Sequence, residues 1–167
     1  HSAPFDIKRQ TDGSPEIGNS RNDANLPVSQ MHCAIVRFHN SIARSGRFSR
    51  FDDVRRQVTL CIQKILLEDF LPRLTPKGLV KDILSGNRFT DSRKVVNCPA
   101  ESVLAALRFG HSMVRREYSN WNQFRSSAAS VTNLLRYTGS GGGLENGVLP
   151  SDWTIDWRSM FDFGEES

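Results

Sequence analysis

Cysteine is scarce in this 167-residue chain: Cys33, Cys61 and Cys98 are an odd number with no close pair. Zinc knuckles and disulfide frameworks depend on closely spaced pairs, so the spacing argues against both. Cys33 and Cys61 fall on apolar helix faces, where a free thiol is a common small hydrophobe, and one bridge with a spare thiol stays open. No apolar run reaches the length of a membrane span, and no charged-then-apolar leader pattern opens the chain. Dense Lys/Arg blocks are missing as well. With 22 Lys plus Arg against 18 Asp plus Glu, the net charge is +4. That excess favours anionic partners weakly and carries no specific nucleic-acid signal. The glycine-rich run 139–143 lacks the Lys-Ser/Thr of a phosphate-binding loop and follows no strand, so it reads as a flexible linker within a loop at 138–148. His1 could ligate copper through its amine and ring, but no strand pattern supplies the usual surroundings.

What is present is helical periodicity. Residues 1–22 are polar and broken by Pro4, Gly13, Pro15 and Gly18, and read as an irregular surface segment. Asn22, Asp23 or Asn25 then caps a helix over Leu26 to Arg44, with Pro27 suited to its first turn. Val28, Met31, Ile35, Phe38 and Ile42 form its apolar stripe. His32 and His39, seven apart, are too widely spaced to chelate one ion from one helix and read as packing histidines. A second helix spans Phe51 to Phe70, burying Val54, Val58, Cys61, Ile62, Ile65 and Leu66 until Pro72 stops it. A shorter one runs from Pro76 to Leu84, and Ser85-Gly86 ends it. A polar connection, 87–98, is extended locally at Lys94-Val95-Val96. Another helix is expected from Trp121 to Tyr137, and the aromatic tail around Trp153 and Trp157 packs as a short helix or turn.

Between these lies the stretch AALRFGHSMVRREY, 105–118. Read as a helix from Pro99 to Tyr118, it sets Val103, Leu107, His111 and Val114 on one face, so the imidazole points inward with the aliphatic side chains. Such a histidine is either hydrogen-bonded in the core or given to a metal. Gly110 costs this helix about 1 kcal/mol relative to alanine, and it lets a flat group approach the backbone beside His111.

Three separated stretches carry a resemblance: GNSRNDANLPVSQMHCAIVRFHN at 18–40, LLEDFLPRL at 66–74 and LRFGHSMVRREY at 107–118, with DWTIDWRSMFDF in the tail as a fourth. In order and spacing the chain resembles the mammalian-type (animal) heme peroxidase superfamily, in its bacterial-like branch. The resemblance implies a mainly α chain, a single partial heme-peroxidase-like domain over 1–167 that corresponds to the central part of that fold. It implies heme b as cofactor, with His111 as proximal ligand of the heme iron. Arg108 corresponds to an arginine that pairs with a heme propionate. Arg21 corresponds to the distal arginine that polarises bound peroxide. Hydrogen peroxide and a small reducing substrate are the implied partners, and secretion is the compartment the family suggests.

The chain also departs from the pattern. Nothing in residues 1–17 resembles the segment bearing the family's distal histidine and a calcium-ligating aspartate, so calcium ligands are not seen and a missing segment or second chain would have to supply the acid/base. Ala24 stands where many members have a glutamate that esterifies heme. Arg115-Arg116 replaces the usual arginine-proline step, and no residue corresponds to the asparagine that bonds the proximal imidazole. General acid–base catalysis typically contributes about 10²–10⁴-fold, so the chain alone is expected to be a poor peroxidase. The alternatives are a non-catalytic heme-binding or interaction remnant of the same fold, and a basic helical binding protein without cofactor.

Overall fold

In the computed structural model, residues 5–86, 106–122, 124, 126–139, 141–144 and 147–159 are described. The chain is mainly helical, with one small two-stranded sheet among these residues. It divides into two compact units, His1–Arg37 with Gly110–Ser167, and Phe38–Phe109.

Helix α1, Leu26–Arg44, has the expected bounds. Asn25 caps it, its Oδ1 accepting from the Val28 amide at 3.0 Å. Gly46, with φ of 70°, takes the left-handed conformation just past its end. The face it buries is not the expected one. Leu26, Ser29 and Gln30 are buried, whereas Val28, Met31, Ile35 and Phe38 are each 37–46% exposed. The reason is what packs on the helix. The N-terminal segment docks through the Gln30 side chain, which donates to the Phe5 carbonyl at 2.9 Å and accepts from the Ile155 amide at 3.1 Å.

Helix α2, Phe51–Ile65, carries Asp52 and Asp53 in its first turn, where the macrodipole favours them. Val54 and Val58 are buried as expected, but Ile65 and Leu66 are about half exposed. Pro72 does not stop the helical path. A single π-turn, Leu66–Phe70, intervenes, with the Leu71 amide bonding the Leu66 carbonyl, and α3 continues over Leu71–Leu74. Widening one turn shifts the hydrogen-bond pattern just ahead of the residue that lacks an amide hydrogen. Helix α4, Leu79–Leu84, begins three residues later than expected because Gly78 is left-handed, with φ of 86°.

The helix expected over Trp121 to Tyr137 is mostly absent. Instead Glu117–Tyr118 (β1) pairs antiparallel with Ala129–Ser130 (β2), Glu117 opposite Ser130 and Tyr118 opposite Ala129. Among the described residues of that stretch only Val131–Arg136 is helical (α5), capped by the Ser130 hydroxyl, which accepts from the Asn133 amide. Asn122 explains the irregular approach. Its amide donates to the Thr154 carbonyl and its Oδ1 accepts from the Phe124 amide, so a side chain competes with helical bonding. Leu26, Trp121, Ala129, Leu134, Leu149 and Trp153 form the core of this unit. The Trp121 indole donates to the Trp153 carbonyl at 2.8 Å, and the Tyr137 and Trp153 rings stack at 4.2 Å. The tail turns at Ser151–Trp153 and Trp157–Ser159 are short 3₁₀ segments, as expected. The expected extension at 94–96 lies outside the described residues.

Residues 5–19 form no helix or strand element, as expected, but they are anchored by buried side chains. Ile7 is buried, and Arg9, Asp6 and Asp23 have side chains only 3–4% exposed. Arg9 donates to both Asp23 oxygens, at 2.7 and 2.9 Å, and to Asp6 at 2.9 Å. The Gly139 amide reaches Asp23 Oδ2 at 2.9 Å. A Cβ at Gly139 would meet the Gly13 carbonyl oxygen at 2.6 Å and Asp23 Oδ2 at 3.0 Å, so only glycine fits there, and the glycine-rich run is docked at this point. Burial opposes the Arg9 charge. The hydrogen bonds and charges of Asp23 and Asp6 outweigh that penalty and hold the guanidinium firmly protonated.

Breaking one side of a buried ion pair leaves an uncompensated charge. Asp23→Ala should therefore cost about 3 kcal/mol in denaturant unfolding, the low end for such pairs, because Asp6 still faces Arg9. An Asp6→Leu/Arg9→Met/Asp23→Leu triple variant, which leaves no buried charge of the cluster behind, should recover much of that loss. A cost below about 0.5 kcal/mol for the single change would show that the pair is not buried in solution.

Candidate functional site

His111 sits in a 3₁₀ helix, Ala106–Met113, and not in an α-helix running to Tyr118. The part of that expected helix before Ala106 lies outside the described residues. The change of period changes the face. In a 3₁₀ helix residues three apart lie over one another, so Arg108 and His111 share one side, and Val114 lies beyond the helix's end. His111 is exposed, as is Arg108, and Val114 is 56% exposed. The inward-pointing core histidine expected from α periodicity is thus not what forms. Among the described residues a Cβ at Gly110 would meet nothing within 4 Å. Beyond the turn, the Arg115 amide donates to the Tyr118 hydroxyl at 3.1 Å and the chain enters β1.

Arg21 lies in a different element, a 3₁₀ turn over Ser20–Asp23. Asn19 caps that turn, its Oδ1 accepting from the Arg21 amide at 3.0 Å, and the Ala24 amide closes it onto the Arg21 carbonyl at 3.2 Å. The Arg21 side chain is exposed, whereas Asp23, two residues on, is the buried partner of Arg9. The turn is therefore fastened from beneath by Asp23 while it presents Arg21 outward. Asp23, Arg9 and Gly139 were invisible to local sequence reasoning. Their contacts span 14 and 116 residues, and in the sequence Asp23 reads only as one of three possible helix caps.

Among the described residues no group of three or more His, Cys, Asp or Glu side chains is placed to hold a metal ion. A porphyrin brings four nitrogens of its own, and one imidazole per face suffices for its iron. His39 packs on Phe51, ring centroids 5.3 Å apart, with Nε2 buried and unpaired. Among the described cysteines, Cys33 and Cys61 are free and half-buried.

Burial pushes the Cys33 thiol up to about 11, with the Asp6 charge adding to the shift. At pH 8 about one molecule in a thousand then carries the thiolate that alkylates. Cys33 should react slowly with iodoacetamide at pH 8, its rate rising through pH 11. Because folding favours the neutral thiol, this contribution to stability is complete below the unfolded thiol's pKa and is lost as pH rises through the folded value. Complete labelling of Cys33 within minutes at pH 8 in folded protein would contradict the assigned burial.

No helix among the described residues is long and apolar enough to cross a membrane. No curated protein and no solved structure matches the chain. A family model does match, described as animal haem peroxidase, and it covers residues 2–140. That span includes the Arg21 turn, α1, the π-turn and the exposed His111 segment, so by most of its length the chain belongs to the animal heme peroxidase family.

Proposed function

We propose that this protein binds heme b through His111 and takes part in peroxide-dependent oxidation of a small reducing substrate. The observation that carries the reading is the family match over residues 2–140, a span that contains Arg21, Arg108 and His111. The local structure is compatible with it. His111 is exposed on an ordered turn, a Cβ at Gly110 would meet nothing within 4 Å among the described residues, and Arg108 lies over the same side of that turn. A neutral imidazole suits iron, and a guanidinium suits a propionate carboxylate. His111 would hold the iron and Arg108 would anchor a propionate.

Bound heme supplies the redox chemistry. The task of Arg21 is to donate hydrogen bonds to peroxide and to offset the negative charge that grows as the O–O bond breaks. Its turn, tied through Asp23 to Arg9, fixes the backbone from which that guanidinium extends. Ala24, exposed at the end of the turn, has no carboxylate to esterify the ring, so heme would be held without a covalent link through this position. Among the described residues we assign none to the acid/base role of a distal histidine. A segment or chain that carries one is the further component this reading calls for.

Heme titration followed by absorption should give a saturable Soret shift that His111→Ala loses, with the heme extractable into acidified organic solvent. Equal binding by both proteins would reject His111 as the ligand. Once loaded and supplied with the acid/base component, Arg21→Ala should lower peroxide turnover by about 10²–10³-fold, the usual loss for one preorganised donor to developing charge. Saturable binding through His111 with no turnover under any complementation would instead establish the non-catalytic remnant.

A further inference from the structure

One face of α1 that the heme reading does not use lines a cavity of about 670 Å³, within the range of small-molecule sites. Gln30, Cys33, Ala34 and Arg37 lie on it at i, i+3, i+4 and i+7, so they form one helical stripe. The opposite wall comes from the tail and the Asn122 loop. Phe5, Phe124, Ile155 and Trp157 supply aromatic and aliphatic surface, and Phe124 is 80% exposed although it lines the cavity.

The polar groups of this cavity are almost all engaged. The Gln30 amide is spent on the Phe5 carbonyl and the Ile155 amide. The Asn122 amide is spent on Ser151 and Thr154 carbonyls and on the Phe124 amide. Asp156 and Arg158 neutralise each other, at 3.1 Å. Cys33, whose thiol burial keeps neutral, adds no charge. Arg37 is the exception. Its guanidinium rests over the Phe5 ring, 4.6 Å from the centroid, and it has no carboxylate partner among the described residues. The ring limits where the cation can go without neutralising it.

We propose that this cavity is a binding site for a small aryl carboxylate, with the carboxylate paired to Arg37 and the ring lodged among Phe5, Phe124 and Trp157. One unspent cation in an otherwise satisfied, aromatic-walled cavity selects a ligand with one anionic end and a flat apolar body. A neutral aromatic leaves Arg37 unused, and a polyanion meets Asp156. The proposal involves neither heme nor His111, so its failure leaves the heme reading untouched.

The test is calorimetric titration of the full chain with 1-naphthoate, beside the neutral isostere 1-naphthamide. Saturable naphthoate binding with Kd below about 1 mM is expected, weakened by added salt and at least about tenfold tighter than the amide. Arg37→Gln, on the exposed side of α1, should lose about tenfold or more for naphthoate and nothing for the amide, while Arg37→Lys retains part of the preference. Absence of saturation below 1 mM, equal affinity for acid and amide, or Arg37→Gln binding naphthoate as tightly as the parent would each overturn the proposal. Should Arg37→Gln fail to fold, the acid–amide comparison on the parent protein decides alone.

Discussion

The Asp23 carboxylate takes two hydrogen bonds from Arg9 and one from the Gly139 amide, in a setting where its side chain is 3% exposed. Each partner comes from a stretch with little hydrophobic content of its own. The N-terminal segment, the turn before α1 and the glycine-rich run are largely polar, and Ile7 is the one large apolar side chain buried among their described residues. A shared buried charge holds them together, at the cost of desolvating three ionised groups. That cost is offset only when every partner is present, which makes the arrangement close to all-or-none. The Arg21 turn inherits its position from this constraint, since Asp23 is its last residue.

The same constraint explains where sequence reading succeeded. Element bounds set by local chemistry were legible: α1 from its Asn25 cap to the glycine beyond Arg44, the start of α2 at its acidic pair, and the stop at Gly86. Facing was less so. The apolar stripe of α1 reads as the core side, yet the helix buries Ser29 and Gln30, because the Phe5 carbonyl, on the segment the Asp23 hub anchors, and the Ile155 amide of the tail supply partners for Gln30. Amphipathic pattern reports which face could be buried, whereas tertiary hydrogen bonding decided which face was.

The candidate site shows a second limit. His111 was legible as a residue of interest from the wording RFGH, but its surroundings were derived from a 3.6-residue period. The chain adopts a three-residue period there, and the side chain is exposed. Family membership rests on the family-model match over residues 2–140 and does not depend on that period. The contacts missed altogether, Asp23 with Arg9 and Gly139, join residues too distant in sequence for any local pattern to register.

The central physical claim, that a buried Asp23 hub fixes these three segments as one unit, is tested most directly by native-state hydrogen exchange at the Gly139 amide. That amide lies in a glycine-rich run which would ordinarily exchange at nearly the free-chain rate. If Asp23 accepts from it as the structure shows, its protection should approach that of the core amides around Leu134 and fall sharply in Arg9→Met. Exchange of Gly139 at the rate of an unstructured peptide, in an otherwise folded protein, would contradict the account.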